Sequence, residues 1–316
     1  MEGRLKIGIG SCLLGNKVRW NTGHKLDRFL KNTLGQFVEY VPVCPEVEAG
    51  FGVPRESFRL VGTPEHPRLI TLKSKTDHTD QMVLWAKKRI KTLEKENLCG
   101  FIFKSDSPSS GMIRVKVYDE NGIPRKTGIG IFARAFMEHF PLIPVEEDGR
   151  LNNPLIRENF ILQIFTMKRW RDNLAKKRSF GNLVDFHTCN KLLILSHSQK
   201  HYRQMGKLVA NGKKMPIREV YHQYQLLLME ALKLKTTIRK HINVLEHLMG
   251  YFKKQLSRDE KQELIDIFQQ YRNEYVPLIV PITLINHYVR KYEQPYLKKQ
   301  TYLNPHPLEL KLRTHV

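Results

Sequence analysis

The chain changes periodicity near its midpoint, and that change fixes most of what it can fold into. Up to about residue 143, apolar runs alternate with amphipathic ones. LKIGIG (5–10) reads as a strand, HKLDRFLKNTLG (24–35) as a helix and FVEYVPV (37–43) as a strand. LITLK (69–73), a long helix over about 78–96, CGFIF (99–103) and GIGIFARAF (128–136) continue the series. Strands separated by helices favour right-handed crossovers, which lay the strands parallel and put helices on both faces of the sheet. The segment PVEEDGRLNNP (144–154) then carries Asp-Gly and Asn-Asn-Pro turn signals. Beyond it, apolar residues recur at helical spacing alone: Ile156, Phe160, Ile164 and Met167, then Val220, Tyr224, Leu227, Leu228, Ala231 and Leu232. Ser257 with Glu260 fits a capping box, and Pro216 and Pro281 suit helix first turns. The expected architecture is an α/β domain over 1–148 with a mainly parallel, Rossmann-like sheet, followed by an all-α helical domain over 149–316.

Charge divides along the same line. Residues 1–150 hold 24 Lys and Arg against 18 Asp and Glu, whereas residues 151–316 hold 29 against 13. The second half thus carries +16 of the net +22. A field of that size suits a polyanion, because each phosphate neutralised releases condensed counterions. With 41% apolar and 27% charged residues, the composition excludes a disordered chain. Four cysteines exclude a disulfide scaffold. No apolar run approaches the roughly 20 residues that span a bilayer, and MEGRLKIGIG lacks the form of a signal peptide. A soluble, cytoplasmic protein that binds no membrane is expected.

In an open parallel sheet, ligands sit beyond the carboxyl ends of the strands. Cys12 follows the first expected strand in GIGSCLLG, and Cys44 follows the second in VPVCPE. If those strands are neighbours about 4.8 Å apart, both thiols reach one edge. Two core thiols and two metal ligands both satisfy that placement. For a metal, iron-sulfur ranks before zinc, since neither histidine nor a Cys-x-x-Cys pair adjoins these cysteines. The run FIFKSDSPSSGM (101–112) breaks from a buried strand into small hydroxyl residues and a glycine, as a loop approaching a ligand does. In the second half, GYFKKQ and NHYVRKYEQPYLKKQTY interleave basic and aromatic residues, which suits RNA. Lys253, Lys254, Arg290 and Lys291 are the candidate RNA contacts, and DNA is not expected. The nine histidines of this half show no zinc spacing.

The combination SCLLG, RWNTGHK, VPVCPEVEAG, KSDSPSSGM, VKVYDENG and GIFARAF resembles the thiouracil desulfidase domain. The second half, with LVDFHTCNKLLILSHS, NVLEHLMGYFKKQL, VPLIVPITLINHYVRKY and YLNPHPLELKLR, resembles the helical domain that follows it in the two-domain tRNA 4-thiouridine desulfidases. The resemblance implies a 4Fe-4S cluster on three cysteines, with one iron capturing the sulfur of a thiolated base, and non-redox replacement of that sulfur by oxygen. It implies Cys12 and Cys44 as ligands, Glu46 as acid/base, Ser107 as an assisting hydroxyl, and Arg19, His24, Lys104 and Ser109 around the substrate. It implies tRNA as partner. The third ligand position holds Ser110 in this chain. Cys99, at the start of its strand, is expected at the opposite end of the sheet, and Cys189 lies in the helical half. The loss points to a weakly held or absent cluster. A basic tRNA-binding protein with a degenerate desulfidase domain, or a desulfidase of free thiouracil or thionucleosides, are the rival readings.

Overall fold

The computed structural model describes residues 4–315. Its contacts divide into two compact units, Met1–Phe160 and Ile161–Val316.

The first unit is built on a four-stranded parallel sheet. It comprises β1 (Leu5–Gly10), β2 (Val38–Val43), β5 (Gly100–Phe103) and β8 (Val145–Glu147), in the order β2-β1-β5-β8. β1 is apolar and almost wholly buried, as a central strand covered on both faces must be. It pairs with β2 from Leu5↔Val38 to Gly10↔Val43 and with β5 from Ile7↔Gly100 to Ile9↔Ile102. The chain leaves β1 in one direction to form β2 and returns on the other side as β5, so the strand order reverses beside β1. Two helices of this unit, α2 (Thr79–Glu94) and α3 (Ile131–His139), contribute to its cores. Phe101, Phe103, Phe132 and Phe136 form an aromatic centre with ring centroids 4.4 to 6.2 Å apart.

Three features depart from expectation. LITLK is not a strand of the parallel sheet: β4 (Pro67–Thr71) pairs antiparallel with β3 (Phe58–Gly62) in a second sheet ordered β4-β3-β6-β7. Its member β6 (Val115–Tyr118) alternates over only four residues, and β7 (Pro124–Gly128) carries too few apolar residues to show an alternation. The helix expected over 24–35 is a π-turn over Phe29–Thr33 and a 3-10 turn over Leu34–Gln36. Residues before it are drawn away, because the N–H groups of Lys25 and Asp27 donate to Cys12 O and Leu13 O, and the Asp27 carboxylate accepts from Leu30 N. Part of the expected interdomain turn is instead β8, whose Phe103↔Glu147 pairing closes the sheet. A strand reading VEE hides its role: Glu146 is held by Arg150, and Glu147 Oε1 accepts from Met112 N at 2.5 Å.

The second unit is helical. α4 (Pro154–Ala175) leads into it, followed by α5 (Phe180–His197), α6 (Gln199–Asn211), α7 (Ile217–Lys233), α8 (Ile238–Gly250), α9 (Arg258–Arg272), α10 (Ile279–Lys291) and α11 (Pro295–Lys298). Trp170 stacks on Tyr224 at 5.2 Å and meets Phe186 edge-on at 5.0 Å. Ser257 and Glu260 form the expected capping box at the start of α9. Among the described residues, no helix is long and apolar enough to cross a membrane.

Candidate active site

The strand order reverses beside β1, and at such a point an open parallel sheet places its ligands beyond the carboxyl ends of the strands. Cys12 lies in the 3-10 turn after β1, and Cys44 caps the short helix α1 (Pro45–Glu48) after β2. Both are buried, and burial pushes the Cys12 thiol up to about 11 and the Cys44 thiol up to about 12. Lys104 and Arg19 oppose the shift of Cys12, while Glu46 and Asp148 add to it, so these four charges share its surroundings.

Glu46 is the hub of the edge. Its Oε2 lies 3.5 Å from Cys44 Sγ and 3.8 Å from Arg55 Nη2. Its Oε1 accepts from the Ser109 hydroxyl, which is 3.0 Å from the Ser107 hydroxyl. Ser107 Oγ also accepts from Ser110 N at 3.1 Å. A thiol, a carboxylate and two hydroxyls therefore form one continuous hydrogen-bonded chain along the edge. Beside it, Lys104 Nζ pairs with Asp148 at 3.0 Å, and Asp148 also accepts from Ser105 N at 2.7 Å.

The serine loop is held by its backbone. Gly111 N donates to Ser107 O, Gly130 N donates to Gly111 O, and Phe132 N in the first turn of α3 donates to Ser109 O. Gly130 is required for this approach: a Cβ there would lie 2.5 Å from the Ser109 carbonyl carbon and 2.7 Å from Ser110 N.

Of the residues singled out from the sequence, Cys12, Cys44, Glu46, Ser107, Ser109 and Ser110 meet at this edge, with Lys104 and Arg19 beside them. His24 is exposed, and its Nδ1 accepts from Leu26 N, which gives it a turn-forming contact. Cys99 N donates to Lys6 O near the amino end of β1, so Cys99 lies at the far end of the sheet, as expected. Arg55 and Asp148 were missed. Each reaches the site from a loop whose sequence carries no spacing signal, and only the fold joins them to their partners. In the helical unit, Lys253, Lys254 and Arg290 are exposed, whereas Lys291 is paired with Glu260 at 2.6 Å.

Residues 7–148 match the family model described as 2-thiouracil desulfurase, and residues 191–307 match that of DUF1722, a protein of unknown function. The uncharacterized protein YbgA of Escherichia coli (strain K12) is 34% identical over 157 residues, covering 49% of this chain and 93% of that protein. The chain belongs to the family of YbgA, and its first domain matches the desulfurase model. The uncharacterized protein YbbK of Bacillus subtilis (strain 168) is 29% identical over 110 residues, or 33% of this chain and 72% of its own. A solved structure of TudS, a [4Fe-4S]-dependent thiouracil desulfidase, is 24% identical and covers 47% of this chain and 94% of that one, with a TM-score of 0.39.

A cluster held by three thiolates does not fit the donors of this chain. The edge supplies the thiols of Cys12 and Cys44, and the loop opposite supplies the hydroxyl of Ser110, a harder and more basic donor that suits iron less well. Among the described residues, no group of three or more His, Cys, Asp or Glu is arranged to hold a metal ion.

Proposed function

We propose that the chain removes the sulfur of 4-thiouridine in tRNA and leaves uridine. The observation that carries this reading is the Cys44–Glu46–Ser109–Ser107 chain at the strand-order reversal of a domain matched as 2-thiouracil desulfurase. The chemistry asked of it is hydrolytic. Water adds to the thiocarbonyl carbon, its proton passes to the Glu46 carboxylate, and the carbon-sulfur bond breaks as a proton returns to the departing sulfur. One water enters, one hydrogen sulfide leaves, and no electron is transferred. A carboxylate within hydrogen-bond reach of the attacking water supports such a step. Ser109 holds Glu46 in place, Ser107 extends the relay, and the soft thiols of Cys12 and Cys44 face the substrate sulfur. The +16 balance of residues 151–316 supports a polyanionic substrate over a free neutral base.

Ser110 favours a second reading, a tRNA-binding protein whose desulfidase domain no longer turns over. One experiment separates them: 4-thiouridine-containing tRNA is incubated with anaerobically purified protein, and thiouridine absorbance and released sulfide are followed. Loss of absorbance with matching sulfide supports the desulfidase. Binding without either change selects the second reading, and turnover of free thiouracil but not of tRNA overturns the choice of substrate.

A further inference from the structure

An open groove of about 680 Å³ runs between α5 and α6 in the helical unit, within the roughly 300–1,000 Å³ typical of small-molecule sites. Four of its lining residues are cations, Lys191, Arg203, Lys207 and Lys213, and none is Asp or Glu. Arg203 and Lys207 are exposed one turn apart on α6. Among the described residues, neither they nor Lys213 form a salt bridge. Lys191 is fixed over the Tyr296 ring at 5.1 Å.

The groove wall adds a neutral donor. His187 Nδ1 lies 3.1 Å from the hydroxyl of Tyr224, which is fully buried. That hydroxyl has no other partner among the described residues, so it donates to Nδ1, since the reverse would leave its own proton unpaired in the core. Nε2 then carries the ring proton. Burial, and secondly Lys191, hold His187 down at about 4, so the ring is neutral at physiological pH. Nε2 stays open to the groove because position 206 is glycine: a Cβ there would sit 4.0 Å from Nε2, and a longer side chain would cover it. A glycine inside a 13-residue helix costs about 1 kcal/mol relative to alanine, and access to the groove gives that cost a purpose.

The charged residues that line the groove are all cations, and the uncovered histidine nitrogen is a donor. We propose that this groove holds a phosphodiester segment of the tRNA, with Arg203, Lys207 and Lys213 on its phosphates and His187 Nε2–H on a phosphate or base acceptor. This assignment rests on the tRNA reading above and gives that reading a definite place in the helical unit.

The test uses the full chain, a filter-binding titration of unmodified tRNA, and Gly206→Leu, which fills the groove with a good helix former and leaves the charge unchanged. Tenfold or greater loss of tRNA affinity, with a melting temperature no lower than the parent's, is the expected result. Arg203→Gln with Lys207→Gln should also reduce the log-log salt slope by about 1.5, the value for two phosphate contacts. Lys87→Gln with Lys88→Gln, which removes the same charge from exposed positions on α2, should change the slope by less than half as much. If Gly206→Leu binds tRNA like the parent, the groove assignment is overturned while the tRNA reading stands. If the parent binds no tRNA but binds uridine monophosphate, the tRNA reading falls and the groove belongs to a free nucleotide. Poly-glutamate displacing tRNA as well as an RNA of equal charge would overturn the phosphodiester in favour of an acidic polypeptide.

Discussion

The two units bury polar groups in opposite ways. In the α/β unit, buried Ser109 and Ser110 gather with half-buried Glu46 at the edge where the strand order reverses: the Ser109 hydroxyl donates to Glu46 across 63 residues of sequence, and Ser110 N donates to Ser107 Oγ. In the helical unit, the buried polar groups are dispersed and meet their partners in separate contacts. His241 meets Tyr302 at 2.9 Å, His197 Nδ1 donates to Leu234 O at 2.8 Å, and Arg169 donates to Pro305 O at 2.7 Å. The lesson is that burial alone does not mark a site. Polar groups that converge beside the strand ends can do chemistry, whereas those paired in separate contacts inside a bundle fix its packing.

The largest effect expected from this contrast is at Glu46. Glu46→Gln keeps the shape of the side chain but cannot accept a proton, so desulfidation should fall by about 10² to 10⁴ with unchanged circular dichroism. Parental turnover in this variant would show that the converging edge is as structural as the bundle.

Acid should separate the units next. His187, His197 and His306 are held at about 4 by burial, and His241 is lowered by the same cause. All four are neutral in the folded bundle, whereas the unfolded chain protonates them near 6.5. Their contribution is therefore complete above pH 6.5 and is lost as pH falls toward about 4, by on the order of 1 kcal/mol per pH unit for each histidine. Protection factors, taken relative to intrinsic exchange at each pH, should fall between pH 7 and 5 in residues 161–316 before residues 1–160. An equal fall in both would break the comparison.

A smaller effect is expected at Gly130, where a Cβ would collide with the Ser109–Ser110 peptide. Gly130→Ala should lower stability by about 1–3 kcal/mol and depress turnover further than that loss explains, because the serine loop must move away from Glu46. Thermal melts and initial rates on the same preparation check this. A variant destabilised but fully active would uncouple the loop from the site.

The smallest structural change is Ser110→Cys, which completes a set of three thiols. After anaerobic reconstitution with iron and sulfide, it should retain iron against a chelator at least as long as the parent, while Cys99→Ser, at the far end of the sheet, should alter nothing. Iron lost on Cys99→Ser and unaffected by Ser110→Cys would contradict the strand directions.

Legibility followed the range of the signal. β1, β2 and β5 are apolar runs broken by polar loops, so their parallel placement could be read directly, and with it the meeting of Cys12 and Cys44. The bundle was visible because Phe160, Ile164 and Met167, and Val220, Tyr224 and Leu228, keep helical spacing and are buried. The second sheet was not, since β7 reads PRKTG and exposes four of its five residues. Within the site, the family resemblance led to Glu46 and Ser109 separately, but their hydrogen bond is a property of the folded edge. Arg55 left no trace in the sequence, because its neighbours there say nothing about which carboxylate it will meet.

The way the serine loop is fastened has a consequence for how such a protein changes over generations. The N–H groups at the start of α3 and the close approach of Gly130 grip carbonyls and peptide planes, and none of these contacts consults the side chain at position 110. Exchange between serine and cysteine there is nearly silent for folding. A lineage can therefore drift between metal-competent and metal-indifferent forms by single substitutions, passing through intermediates that remain folded and continue to be inherited.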